Sequence, residues 1–441
     1  LEQLRRRIEF DPDLFVAQER IEPSTAPSWS DKGFAPRPVT LRAYLVASGD
    51  SYSVMPGGLT RVSPDAGGKF ISMQRGGSSK DTWIISENSV EEITLLHTAG
   101  QNFELRRTGN NLPSRLADNL FWLGRYSERA DATARLLRSA LLRFNPERTG
   151  SAMPLLSPLL QTLQTQGQLL DVTEQLELRQ NSEAFEAELL AAIFDSERDS
   201  SLRNTIENLF RLGVQVRDRT SNDMWRVINK LNDRLASSSV SLVMLAGDAI
   251  GVLNETLLGV AAFHGLAREN MTRAQAWRFI DMGLRIERAI YLSTLLDSTL
   301  RSPESDNPSL LEAVLEVADS SITYRSRYSL LPQPAAVFDL ILLDDKNPRA
   351  VLFQIAQLIQ HFERLPQERN SVGRDILNNC AARLERGDTR ELTSLKENLP
   401  ASKVGRLIQQ TLRDLPKLSD AIAASYFAHS MISRTGRENV L

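Results

Sequence analysis

The chain has 441 residues, 41% hydrophobic and 24% charged, the balance of an ordinary globular protein of two or three domains. Its net charge of −3 gives no electrostatic reason to expect nucleic acid as a partner. The single cysteine, Cys380, excludes an intrachain disulfide and fits a reducing, cytoplasmic compartment, and the four histidines (His97, His264, His361, His429) lack metal-ligand spacing, so no metal site is predicted.

The chain opens in "LEQLRRRIEF", which is charged and helical in pattern and carries no leader-like apolar core. Short strand-like runs follow: Leu14 to Ile21, Val39 to Ser48, Ser51 to Ser63, Gly68 to Arg75 and Asp81 to Ser86. "SGDSY", Ser48 to Tyr52, is a hairpin signal between two of them. Residues 87–112 read as a linker, and from 113 to 441 the apolar residues recur at i, i+3, i+4 and i+7, the helical period. Turns are expected at Asn145 to Pro154, Arg301 to Ser309, Leu330 to Pro334 and Asp344 to Arg349. The most apolar tract, Val240 to His264, contains Asp248, Asn254 and Glu255 and reads as a buried helix, so no membrane association is predicted. The fold class is therefore an α+β module of antiparallel strands followed by a large all-α domain.

In the first part, Gln18 and Glu19 stand at the end of a run where backbone and side chain could bind the edge of a planar base. Arg42 is placed mid-strand, where it either pairs across the sheet or faces an anion. "QRGGSSKDTW", Gln74 to Trp83, joins Arg75, two glycines, two serines and Lys80 in a phosphate-cradling composition without P-loop spacing; a solvated hairpin loop is the alternative.

In the helical part, "NLFWLGRYSERADATARLL" (Asn119 to Leu137) is echoed by "WRFIDMGLRIERAIYLSTLL" (Trp277 to Leu296), with Gly124, Glu128, Arg129 and Ala130 matching Gly283, Glu287, Arg288 and Ala289 at an offset of 159 residues. Arg125, Glu128 and Arg129 share one helix face. Two readings stand. The copies face each other and Glu128 and Glu287 each meet an arginine of the other helix, or the arginines line a cleft for a carboxylate or phosphate. Arg217 and Asp218, in "VRDRTSNDMW", are either helix-surface residues or part of the same cleft. Arg349, expected in the first turn of a helix begun by Asn347–Pro348, is misplaced for the helix dipole and so calls for a partner acid or a ligand. Trp122, Trp225 and Trp277 read as core anchors, His264 and His361 as core or surface residues, and Cys380 as a small buried hydrophobe. His429 could serve as an acid or base but lacks a visible orienting partner.

Residues 1–86, above all "RPVTLRAYLVASGDSYSVMPGGLTRVS" and "SMQRGGSSKDTW", resemble the closing segment of the circularly permuted type 2 ATP-grasp family. The resemblance implies ATP and Mg²⁺ as cofactors of the complete enzyme, Gln18 and Glu19 on the adenine side, Arg42 facing phosphate and intermediate, and Arg75 and Lys80 in the family's loop. It also implies that the nucleotide-binding lysine strand and acidic metal ligands would precede Leu1, so the chain alone is not expected to be a complete ligase. "LADNLFWLGRYSERADATARLLR" and "ENMTRAQAWRFIDMGLRIERA", with three further pieces in order, resemble the alpha-E domain family over residues 113–441; Leu284 departs from that pattern where an arginine is usual, and Arg285 is its candidate stand-in. The joint resemblance implies the C-terminal part of an ATP-dependent carboxylate–amine ligase, joining amino acids or peptides through an acyl phosphate. The helical domain would bind substrate through Arg125, Glu128, Arg129, Arg217, Asp218, Glu287, Arg288 and Arg349, or support the ligase. Its partners would be an amino-acid or peptide substrate and the upstream ATP-grasp portion or a separate ligase subunit; homo-oligomerisation stays open. The alternatives are a helical domain that is an enzyme acting on the ligase product, or a non-catalytic interaction scaffold.

Overall fold

The computed structural model describes residues 21–30, 33–48, 50–65, 77–86, 112–144, 149–169, 182–237, 246–328, 331–365, 371–393 and 399–427, with positions 4, 5, 8, 9, 15 and 19 besides. Two compact units divide at Arg107 and Thr108.

The first unit is an antiparallel β module. Strands β1 (Thr25–Ser30), β2 (Gly33–Arg42), β5 (Gly58–Val62) and β6 (Ser78–Thr82) form one sheet in the order β1-β2-β5-β6. The strands β3 (Leu45–Ser48) and β4 (Ser51–Val54) pair separately, with Ser48 opposite Ser51, which is the hairpin expected from "SGDSY". The β1–β2 hairpin was not expected from the sequence, because Pro27, Pro36 and Pro38 argue against central strands. Pro27 and Pro36 oppose each other on the outer pair, where missing N–H donors cost least, and the exposed Trp29 and Phe34 meet edge to face at 5.1 Å.

The second unit is all-helical. Its helices are α1 (Ser114–Arg143), α2 (Thr149–Thr165), α3 (Ser182–Phe194), α4 (Leu202–Gln215), α5 (Asn222–Ser237), α6 (Ala246–Asn270), α7 (Gln275–Arg301), α8 (Pro308–Val317), α9 (Ser321–Arg327), α10 (Pro334–Phe338), α11 (Val351–Glu363), α12 (Ser371–Glu385) and α13 (Lys403–Tyr426). The helices α1 and α7 are the centre. Both are buried on nearly all sides, and α6, α4, α11, α13 and α2 pack around the pair. The connection from Ser302 to Asn307 falls where the turn was expected, and Asn307 caps α8 by accepting from the Ser309 N–H at 2.9 Å. The tract expected as a buried helix is only half so. The helix α6 has length and composition enough to span a membrane, yet 39% of that window is buried and Leu258 is 73% exposed. Its polar residues are tied to neighbouring helices, Asn254 to Arg138 at 2.9 Å and Glu255 to Arg234 at 2.5 Å.

Candidate functional site

The two echoing helices lie against each other in parallel. Gly124 abuts the Ile280 carbonyl and Gly283 the Phe121 carbonyl, so closely that a Cβ on either glycine would sit 2.0 Å from that oxygen. Only glycine permits this approach. The contact sets the register, because each glycine touches the backbone one turn before its counterpart. The helices are therefore related by a local pseudo-twofold axis running along the pair.

Four residues beyond each glycine, the charges pair across that axis. Arg288 grips Glu128 with both prongs, Nε and Nη2 each donating at 2.6 Å. Glu287 accepts from Arg125 Nε at 2.5 Å and from Arg129 Nε at 2.7 Å. Both carboxylates are buried. Burial alone would raise the Glu287 carboxyl, but the Arg125 and Arg129 guanidiniums hold it below the usual carboxylate range. The symmetry is broken where Leu284 occupies the place equivalent to Arg125. Arg285 does not stand in, since it turns to Asp281 at 3.1 and 3.2 Å and to Gln354 at 3.1 Å. Arg349 supplies the missing cation: it lies 3.8 Å from Glu128 and 2.9 Å from Asp131. Burial would raise Asp131 too, and Arg349 and Arg135 pull it far down instead. Asp319, in the left-handed region at φ 50°, closes the group with Arg135 at 3.3 Å.

Among the alternatives for "GRYSERAD", the geometry is that of the brace. Arg125, Glu128, Arg129, Glu287, Arg288 and Arg349 bind one another, and the space left beside Glu128, Asp131 and Arg349 is about 20 Å³, enough for about one water. Arg349 does have the partner acid its position called for. It precedes α11 rather than sitting in a first helical turn, because Asn347 Oδ1 accepts from its backbone N–H at 3.0 Å and holds the loop open. Arg217 and Asp218 do not join the group. They form a short 3₁₀ turn between α4 and α5 rather than a continuous helix face; Arg217 lies over Trp225 at 5.7 Å and Asp218 pairs with Arg219 at 3.1 Å.

An open cavity of about 470 Å³ adjoins the brace, between the last turns of α6, the first half of α7 and the start of α11. Arg268, Arg273, Arg285 and Arg288 line it, with Asp281 the one carboxylate among its lining residues, and Trp277 and Phe353 supply aromatic faces. Arg273 stacks over Trp277 at 4.2 Å. Asp281 also accepts from His361 Nε2 at 2.6 Å, and His361 Nδ1 in turn faces Arg278 at 3.5 Å. With that nitrogen turned to a donor, His361 carries its proton on Nε2. His264, partly exposed at the wall, can be assigned likewise. The one hydroxyl hydrogen of Ser127 goes to the Gly124 carbonyl at 2.8 Å, so at 2.9 Å Ser127 Oγ accepts from His264 Nε2–H, leaving the Nδ1 lone pair without a partner among the described residues. Burial pushes the His264 imidazolium down to about 4, against a pull from Glu128, so the ring is neutral at pH 7. A base that weak offers a hydrogen-bond acceptor rather than a proton sink. Of the residues expected to bind substrate, only Arg288 touches this cavity. The rest escaped the sequence because the α6–α7 connection that carries Arg268 and Arg273 meets Phe353, 80 residues on, only through helix packing.

In the β module, Arg42 is the last residue of β2, opposite Leu59 and exposed, not mid-strand. The strand ends there because the chain turns into the β3–β4 hairpin. Lys80 lies in β6 opposite Thr60, not in a loop, and its Nζ donates to the Pro27 carbonyl. The Ser78–Thr82 stretch is extended because it completes the ladder of β5, with Thr60 and Thr82 hydroxyls bonded at 2.5 Å. Glu19 is exposed, while Gln18, Arg75 and His429 lie outside the described residues. Among the described residues, no group of His, Cys, Asp or Glu comes together to hold a metal ion. Arg42 and Lys80 thus do not by themselves form a site that fits MgATP.

Comparison with known proteins places both parts. A model described as "a predicted alpha-helical domain with a conserved ER motif", Alpha-E, matches residues 112–427, and a circularly permuted ATP-grasp type 2 model matches residues 1–63. The chain belongs to the Alpha-E family, here fused to ATP-grasp sequence, as the resemblance implied. The ER pairs brought together by the fold are Glu128–Arg129 and Glu287–Arg288. An uncharacterised protein of Mycobacterium tuberculosis is 28% identical over 97% of this chain and 50% of its own length. The chain spans about half the length of this relative. A second uncharacterised M. tuberculosis protein is 40% identical over 20% of this chain and 16% of its own length. A protein of Frankia casuarinae, named as a candidate glutamate–cysteine ligase, is 39% identical over 19% of this chain and 10% of its own length. No solved structure matches.

Proposed function

We propose that the chain is the C-terminal part of an ATP-dependent carboxylate–amine ligase that forms an amide or peptide bond through an acyl phosphate. In this reading the helical domain binds the amino-acid or peptide substrate in the cavity between α6, α7 and α11. The ATP-grasp match supports the reaction class, and the name of the Frankia relative is in keeping with it. The observation that carries the role of the helical domain is the basic, aromatic-walled cavity beside a closed salt-bridge core. Nucleotide and metal would be held by residues beyond those described here, in the upstream portion or a separate subunit. A cytoplasmic, reducing setting suits the single buried Cys380. The reading of the helical domain as a separate enzyme needs a working acid–base group in the cavity, and His264, at about 4, is poorly matched to that task.

The test is ATP turnover by the complete parent protein with amino acids and short peptides as acceptors. Arg273→Ala is expected to raise acceptor KM with little change in kcat, the mark of lost binding. Absence of ATP consumption with every acceptor would sink the proposal.

A further inference from the structure

Charge around the open cavity is not balanced. Arg288 and Arg285 are each held by a carboxylate, Glu128 and Asp281. Arg268 is exposed, and its side chain has no partner among the described residues. Arg273, also exposed, gives one nitrogen to the Arg268 carbonyl and lays its guanidinium on Trp277, with no acid beside it. Just behind, Arg278 is buried, facing the His361 ring, the Arg273 carbonyl and, at 5.9 Å, the Trp277 ring, with no carboxylate paired to it among the described residues. The opening turns of α7 and α11 add positive potential from the same side. Neither N-cap, Ala274 or Ala350, has a side chain to accept from the first backbone N–H groups.

An occupant must therefore bring more than one negative charge. It must also present a flat or apolar portion to Trp277 and Phe353. The His264 Nδ1 lone pair adds a third demand, for a hydrogen-bond donor on the ligand. Inorganic phosphate could offer a P–OH to the imidazole, but it has no flat or apolar portion to set against Trp277 and Phe353. A short peptide with acidic side chains meets all three demands, and about 470 Å³ lies within the range of small-molecule sites.

We infer that the cavity between α6, α7 and α11 is a binding site for a short acidic peptide, whose carboxylates are gripped by Arg268 and Arg273 and one of whose N–H groups is received by His264. This rests on the reading of the helical domain as a substrate-binding domain and adds the chemical class of the substrate. The specificity lies in paired cations at the mouth and a neutral acceptor at the wall.

The experiment is a fluorescence titration of the 441-residue chain with glutamyl-glutamate, alanyl-alanine, inorganic phosphate and ADP, in the absence of ATP. Glutamyl-glutamate is expected to give a saturable change that is absent in Trp277→Phe and weakens with salt. Its affinity should fall about tenfold in each of Arg268→Ala and Arg273→Ala, the loss of one charge-assisted contact. Both positions are exposed, and circular dichroism of the variants checks that they fold. Equal binding of alanyl-alanine would overturn the inference, as would unchanged affinity in both arginine variants. So would displacement of the dipeptide by phosphate or ADP at equal concentration, which would make this a phosphate site. Binding here does not depend on ATP turnover, so an inactive parent leaves this result standing, and an empty cavity leaves the ligase reading to find its acceptor elsewhere.

Discussion

Adding one methyl group at Gly124 tests the central packing directly. In Gly124→Ala the new Cβ would stand 2.0 Å from the Ile280 oxygen, 2.9 Å from its carbon and 3.0 Å from the Leu284 nitrogen, all backbone atoms that cannot swing aside. Ordinary contact needs roughly 3.5 Å, so the helices must part by about 1.5 Å. The salt bridges one turn on, at 2.6 and 2.7 Å, would stretch to about 4 Å and cease to be hydrogen bonds. Overpacking costs about 1–3 kcal/mol, and a disrupted buried ion pair about 3–5 kcal/mol. Alanine returns about 1 kcal/mol in helix propensity. With partial relaxation the net loss is about 2–4 kcal/mol. Gly251→Ala is the matched control, because a Cβ there meets nothing within 4 Å and the same propensity gain stands alone. Urea unfolding followed by far-UV circular dichroism should move the midpoint down for Gly124→Ala and slightly up for Gly251→Ala. A Gly124→Ala midpoint at or above that of the unmodified chain would refute the close-packed register.

Further outcomes follow from the charges. Glu287→Gln leaves Arg125 and Arg129 facing a neutral group and should cost about 3–5 kcal/mol in the same unfolding assay, whereas Arg217→Ala, outside the brace, should stay within about 0.5 kcal/mol. Stability should fall in acid in two stages. His264 has a folded value near 4 against 6.5 unfolded, so its contribution is complete above 6.5 and lost as pH falls towards 4. That amounts to about 1–3 kcal/mol after allowance for its partial exposure, and His264→Gln should flatten the slope between pH 7 and 5. The depressed carboxyls of Asp131, Asp281 and Glu287 then lose their contribution below the unfolded range near 4. The Cys380 thiol, buried and pushed up to about 11, should react with a thiol reagent only at the rate of opening, and denaturant should accelerate labelling strongly.

The sequence carries the paired helices in plain view. Glycine, glutamate and arginine recur at fixed spacing, and a shared face plus a repeat is enough to suggest that each glutamate meets the other helix's arginine. What it does not carry is which side of that pair stays open. Leu284 hides the broken symmetry that Arg349 repairs from a loop more than 200 residues beyond Glu128. The acceptor role of His264 depends on where a serine hydrogen points, which no residue pattern encodes. Arg42 and Lys80 were misplaced for a simpler reason. Prolines mask the first hairpin, and glycine and serine before Lys80 look like a loop until β5 offers them a ladder.

The parallel alignment of α1 with α7 has a consequence for how the chain is made. Each half of the core waits for a partner about 160 residues away: until α7 emerges Glu128 lacks the Arg288 guanidinium that grips it, and Asp131, though paired with Arg135 on its own helix, waits longer still for Arg349. Closing so long a loop is entropically slow, and contacts this distant in sequence delay folding. The nascent helical domain should therefore stay open until most of it has been synthesised, and fragments ending before α7 should depend on chaperones rather than fold on their own.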